Sequence, residues 1–194
     1  MLTHSRLGAV LVAAALLQSA LPARGQGQAT IDLNHTAAHF AAKHLVISTV
    51  QGSIPVKDVK LGLGAGFVPT SLEATLDLTK VDTHNERRDN DLRSDRFFDA
   101  SKYPEMTFKS TKIVPGKGGA FTMDGILTMH GVSKPLTVNA DVEGSIKDNQ
   151  GRTHVGYSAA ASVDRLEWGV GSGIPTTVVG QSIVVTIEAE VIVT

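Results

Sequence analysis

The chain has 194 residues, with 18 Lys plus Arg against 19 Asp plus Glu and no cysteine. A near-neutral balance excludes the broad basic footprint of a nucleic-acid-binding protein. The missing cysteine excludes disulfides, iron–sulfur clusters, a thiol nucleophile and lipid attachment through a thiol, so burial and strand pairing must hold the fold together.

At the N-terminus, Arg6 precedes an apolar run from Leu7 to Leu17, followed by small residues. That layout predicts a secretory signal peptide over residues 1–25, cleaved before Gln26 on the small-x-small pattern at Ala23 and Gly25; cuts after Ala20 or Ala23 fit as well. The run is shorter than the roughly 20 residues that span a bilayer, and no second apolar run comes after it. Residues 26–194 are therefore expected to be one exported domain, periplasmic or secreted, with no transmembrane segment in the mature chain. Loss of Arg6 and Arg24 leaves it with a net charge of about −3. Asn34-His35-Thr36 is a glycosylation sequon that matters only in a eukaryotic secretory pathway.

Period-two alternation dominates the chain from residue 30 onward. Strands are expected around HFAAK and across GSIPVKDVKLGLG, where Ile54 and Val56 share one phase and Val59, Leu61 and Leu63 the other. The change of phase predicts a bulge or bend near Asp58, and Pro55 places the start of that strand at an edge or in a bend. In SLEATLDL, Leu72, Ala74, Leu76 and Leu78 point one way and Glu73, Thr75, Asp77 and Thr79 the other. The stretch THNERRDNDLRS then supplies the one helical signal, predicted from about His84 to Leu92 with Thr83 and Glu86 as a capping box. Pro104 ends the connector.

Beyond it, Met106 and Phe108 face inward, as do Phe121, Met123, Leu127 and Met129. Leu136, Val138, Ala140, Val142 and Ile146 continue the pattern, then Val155, Tyr157, Ala159, Ala161 and Val163. Ile183, Val185, Ile187, Ala189, Val191 and Val193 close the chain. Turns fall at PGKGG, GVSKP and DNQGR. About eight antiparallel strands predict an all-β fold, an eight-stranded barrel with a two-sheet sandwich as the competing architecture. Small inward residues, namely Ala42, Ala74, Ala140, Gly144, Ala159, Ala161 and Ala189, favour a barrel with a cavity, although they would also suit the taper of a filled one.

The mixed charges of the connector read mainly as a solvated face. The other reading sets Arg87, Arg88 and Arg93 at a cavity mouth, where they would pair with an anionic head group. His35, His39 and His44 lie close in sequence, but there is no HExxH and no carboxylate at ligand spacing, so no metal and no cofactor is expected. Ser172 lacks the flanking glycines of a nucleophile elbow. Gly62, Gly64 and Gly66 do not make a dinucleotide fingerprint.

Three stretches, HTAAHFAAKHLVISTVQG, VDTHNERRDNDLRSDRFFDASKYPEMTFKST and GILTMHGVSKPLTV, together resemble the YceI-like family of exported lipid-binding proteins. The resemblance implies a lipocalin-like antiparallel barrel that holds a polyisoprenoid chain in an apolar tunnel. By its pattern, Phe40, Ala42 and His44-Leu45 fall on the first strand and turn, Arg88-Asp89 and Leu92 on the helix. Phe97-Phe98 and Phe108 form the hydrophobic anchor, and Gly131-Val132 with Lys134-Pro135 the late hairpin. Arg165, Trp168 and Gly169 precede the last strand, and Gln181 stands where an acidic residue is common, which bears on ligand preference at that end.

Resemblance and strand phase together give an expected lining of Phe40, Leu76, Phe97, Phe98, Met106, Phe108, Phe121, Leu127, Met129, Tyr157, Trp168 and Val185. Arg88 and Arg165 are the expected head-group ligands. The implied function is that of a carrier, not an enzyme, with an amphipathic lipid (polyisoprenoid, quinone-like or fatty-acyl) as partner and no nucleic acid; a homodimer stays open. Two alternatives remain: a hydrolase or isomerase acting on the bound lipid through His84 or another mouth residue as base, and a stress-related periplasmic interaction protein with an incidental cavity.

Overall fold

The computed structural model describes residues 29–194, and the expected signal peptide with its cleavage site lies outside these described residues. Among the described residues nine strands form one antiparallel sheet: β1 Ala29–His44, β2 Ser48–Ile54, β3 Val56–Leu63, β4 Pro69–Asp77, β5 Glu105–Pro115, β6 Ala120–Met129, β7 Val132–Lys147, β8 Thr153–Asp164 and β9 Val179–Val193. Their order across the sheet is β2-β1-β9-β8-β7-β6-β5-β4-β3.

The two outermost strands are consecutive in the chain and separated by Pro55 alone. That residue has no N–H to donate, and its carbonyl accepts from the Asp77 amide at 2.9 Å. One continuous extended run thus pairs with β1 before Pro55 and with β4 after it, which curls the sheet into a barrel and accounts for nine strands where the alternation predicted about eight. A register shift between Val56 and Asp58 places the expected bulge.

Two other irregularities were not expected. β1 is longer than HFAAK because its pairing with β9 jumps from Asp32↔Glu190 to Ala37↔Glu188, and the extruded residues 33–36 break the alternation. In β7 a shift between Val142 and Gly144 reverses the phase. Ser145 then shares a face with buried Val155, whereas Ile146, expected inward, pairs with His154 outside and is 72% exposed. The β6–β7 connection is tighter than GVSKP suggested. His130 and Gly131 both have positive φ, 51° and 74°, the geometry of a two-residue hairpin turn, and Val132 already pairs with Met129.

The helix α1 spans Glu86–Arg93, and its N-cap is Asn85, whose side chain accepts from the Arg88 amide at 3.1 Å. The predicted capping box at Thr83 is therefore corrected. Thr83 instead forms a buried knot: its amide and hydroxyl donate to Asp89 Oδ1 at 2.8 and 2.5 Å, while Arg88 Nε donates to its hydroxyl at 2.7 Å. Elsewhere on the connector, Arg96 pairs with Asp91 at 2.7 Å and Arg93 donates to the Val81 carbonyl and to Asn90. This matches the solvated-face reading of the charge run.

Connectivity sorts the barrel ends. One gathers the β1–β2 hairpin, the β4–β5 connector with α1, the β6–β7 turn and the β8–β9 segment. The other gathers the β3–β4, β5–β6 and β7–β8 turns.

Candidate ligand-binding cavity

The first end is plugged. Phe97 from the connector, Met129 from the end of β6, and Trp168 and Val170 from the β8–β9 segment are all at most 7% exposed and belong to one apolar cluster. The Trp168 indole N–H donates to the Leu127 carbonyl at 3.1 Å, and His130 Nδ1 lies 3.1 Å from the Trp168 carbonyl.

Arg165 fixes the plug from behind. It is 3% exposed, and its guanidinium donates to the carbonyls of Gly180, Val170, Gly171, Ile174 and Val179 at 2.5–3.0 Å. A guanidinium has five N–H groups and all five are used, so none remains for a lipid head group. Burial lowers its pKa from the ordinary arginine value, partly opposed by Asp164, and an arginine still stays charged.

Beyond the plug the interior is unfilled. A cavity of about 160 Å3 runs from there towards the β3–β4 and β5–β6 end, where Leu61, Pro69 and Phe121 line it. That is far above the roughly 10–15 Å3 that one water needs. Of the expected lining, Leu76, Met106, Phe108, Phe121, Leu127, Tyr157 and Val185 border this space. So do five of the small residues, Ala74, Ala140, Ala159, Ala161 and Ala189. Inward residues such as Ala74, Met106, Ala159, Val185 and Ala189 stay only half-buried, because no side chain from another layer covers them. Small residues here open a space and do not merely fit a filled taper.

Other expected site residues lie elsewhere. Phe97, Met129 and Trp168 form the plug, and half-buried Phe98 packs between it and a second cluster around Leu78 and Val81. Phe40 belongs to that second cluster beneath the connector and lies against Gly52, with its Cζ 2.5 Å from where a Cβ would stand. Arg88 is tied to the Thr83 hydroxyl and carbonyl and does not border the cavity. The structure thus places Arg88 against Thr83 and Arg165 against five carbonyls of the β8–β9 segment, where each ties down a capping segment. His84, the base of an enzymatic reading, is exposed on the connector beside Asp82 and lines an outer groove with His39 and Phe40, apart from the barrel cavity.

Ile31, Thr36 and Pro69 line the cavity without having been expected to. The β1 bulge hid the first two, and Pro69 opens β4 ahead of the alternation in SLEATLDL. Val59, Leu61, Leu72, Met123, Leu136, Val138, Ile187 and Val191 carried the correct inward phase but nothing else to single them out.

Three hydroxyl side chains come from lining residues, and each already has a protein acceptor. Thr36 donates to the Asp32 carbonyl at 2.7 Å, Ser158 to Glu143 at 2.5 Å and Tyr157 to the Phe67 carbonyl at 2.8 Å. Burial raises the Tyr157 pKa to about 12. The space therefore presents carbon almost everywhere, and what it can do chemically is take apolar surface out of water.

The family model described as a YceI-like domain matches residues 30–191. A UPF0312 protein of Vibrio cholerae is 31% identical over 137 residues, which cover 70% of this chain and 72% of that one. The crystal structure of a Campylobacter jejuni YceI protein is 33% identical, with a TM-score of 0.68 and coverage of 76% of this chain and 87% of that one. A polyisoprenoid-binding domain from Saccharophagus degradans, implicated in plant cell wall breakdown, shares the fold at 14% identity. Its TM-score is 0.62, with 87% of this chain and 99% of that one covered.

Proposed function

The chain belongs to the YceI-like family, and from that membership and the cavity we propose that it is an exported carrier holding the apolar chain of one amphipathic lipid inside its barrel. The observation that carries this is the half-buried, apolar inner face behind a closed plug. The polyisoprenoid-binding description of the S. degradans domain supports an isoprenoid as the first lipid to test, with quinone-like and fatty-acyl chains as comparators. The leader pattern of residues 1–25 supports a periplasmic or secreted location.

Binding would be driven by apolar burial, about 0.8 kcal/mol per methylene removed from water. Because the lining's hydroxyls are already committed, recognition inside the barrel depends on length and girth alone. The polar head group must remain at or beyond the rim, since burying it unpaired would cost about 2–7 kcal/mol.

Native mass spectrometry of protein from its own host should detect a lipid that is released chemically unchanged. Ala159→Trp, which adds an indole to the cavity on β8, should fold yet lose most of its lipid uptake, whereas Met129→Trp would disturb the plug instead. An empty wild-type protein that also takes up no polyisoprenoid, quinone or fatty acid in vitro would sink the carrier reading. Recovery of a chemically altered lipid would favour catalysis.

A further inference from the structure

The outer face of the barrel near its cavity end carries a group of side chains that the carrier reading does not use. Asp32 and Glu190 stand directly opposite each other across the β1–β9 ladder. Like charges in that position repel, and both carboxylates are partly withdrawn from water, with side chains 18% and 29% exposed. The pair therefore calls for a positive charge between its members.

The β1 bulge provides the third group. Four residues of β1, 33–36, stand against Ala189 alone, and the excursion folds His35 back over its own strand until Nδ1 lies 3.0 Å from Asp32 Oδ2. Thr36 closes the bulge, donating to the Asp32 carbonyl and accepting from the Glu190 amide at 3.3 Å. One ligand atom from each of Asp32, His35 and Glu190 then lies within 4.8 Å of the others. Ligands around a tetrahedral Zn2+ stand about 3.3 Å apart given its usual bond lengths, so a small rotation of exposed His35 with lesser adjustments of the two half-buried carboxylates closes the set.

The carboxylate from β9 is also oriented from behind. Glu190 Oε1 bonds His154 Nδ1 at 2.6 Å, His154 Nε2 meets Asp148 Oδ2 at 3.1 Å, and Asp148 is held by Arg152 Nε at 2.7 Å. The second oxygen of Glu190 has no bond to a described residue and is left for a ligand. Outer-shell partners that hold a carboxylate or imidazole ligand in this way commonly change metal affinity 10–100-fold when removed.

We propose that Asp32, His35 and Glu190 bind one divalent transition ion of the Zn2+ class, with water completing the coordination and His154 acting as a positioning residue on Glu190. One imidazole and two carboxylates suit Zn2+ better than Ca2+, which takes six to eight oxygens. The ion would pin the β1 bulge to β9 and neutralise the facing carboxylates.

The test uses the mature chain without a polyhistidine tag, stripped by chelation and titrated separately with Zn2+ by calorimetry and Co2+ by visible absorption. One equivalent should bind, with ligand-field bands of nitrogen–oxygen coordination for Co2+. His35→Ala and Glu190→Gln should each weaken binding at least tenfold, and His39→Ala should leave it within twofold. His35 is exposed and its removal disturbs no core, so it remains a fair probe if Glu190→Gln folds poorly. Absence of stoichiometric binding would overturn the proposal and leave a protonated His35 as the neutralising charge. Affinity indifferent to His35→Ala would overturn it equally. Lipid uptake by the same variants is read separately, because the metal site does not rest on the carrier function.

Discussion

Replacing Arg165 tests whether the cavity owes its closed end to one buried cation. In Arg165→Met, the carbonyls of Val170, Gly171, Ile174, Val179 and Gly180 lose their donor together. A buried acceptor left without a partner costs about 1–3 kcal/mol, so five would cost about 5–15 kcal/mol if nothing relaxed. Such a loss rivals the whole stability of an ordinary domain. Water will reach some of these carbonyls once the segment loosens, which brings the expectation down to about 3–5 kcal/mol, the range for breaking a buried charged contact. For a chain of this length, about 2–4 °C of melting temperature is lost per kcal/mol, so Tm should fall by roughly 6–20 °C. Arg165→Lys should fall between the two, because an ammonium offers three donors from one point and cannot span five carbonyls. The assay pairs a thermal melt by circular dichroism with a fluorescent-lipid titration on the same samples. A variant that melts within about 2 °C of wild type but loses lipid affinity would refute the reasoning, and would return Arg165 to the head-group role that its sequence position suggests.

The lining carries two further expected outcomes. Affinity for a series of straight-chain or isoprenoid alcohols should rise about fourfold per added methylene until the chain reaches the plug and then level off, as equilibrium titration would show; a flat series would place the chain outside the barrel. Burial raises the Tyr157 pKa to about 12, so its phenolate absorption, taken as the difference between wild type and Tyr157→Phe, should be only about a tenth developed at pH 11 in the folded protein and largely developed on unfolding. Between about pH 10 and 12 the unfolded state binds fewer protons than the folded one at this residue, so its contribution to stability is lost as pH rises across that window. Loss of stability there in wild type but not in Tyr157→Phe checks the sign.

How much of the fold and the cavity was legible in the sequence depends on whether a property is local. The phases of β4, β5, β6, β8 and β9 come directly from alternation, since strands half-buried in one sheet must alternate. Pro55 and the phase change near Asp58 marked the corner at which one strand serves two neighbours. Ile146 shows the limit: its alternation looked continuous, and only the unpaired residue at Glu143–Gly144 turned it outward. Thr83 and Asn85 illustrate a second limit. Both are good N-caps, and the choice between them was made by buried Asp89, which captures the Thr83 amide and hydroxyl. Arg88 and Arg165 were singled out as head-group candidates, but a sequence does not say whether an arginine's donors face a ligand or the chain's own carbonyls. The Asp32–His35–Glu190 group was illegible for a simpler reason: two of its members sit at one end of the chain and the third at the other, brought together only by β1–β9 pairing.

Leu127 and Met129 show what sets the depth of the cavity. They sit two residues apart on one strand, point the same way, and are 5% and 4% exposed, yet Leu127 borders the cavity and Met129 belongs to the plug. Nothing in β6 distinguishes them. The difference comes from what lies opposite: Phe97 from the connector and Trp168 from the β8–β9 segment fill the barrel at the level of Met129 and stop short of Leu127's inner side. The depth of the cavity is therefore set by the capping segments and not by the strands, and those segments are positioned by Arg165 and by the Thr83–Asp89 knot. Changing the longest chain the barrel accepts should then require substitutions at Phe97 or Trp168, whereas substitutions along the strands should alter the girth that is tolerated.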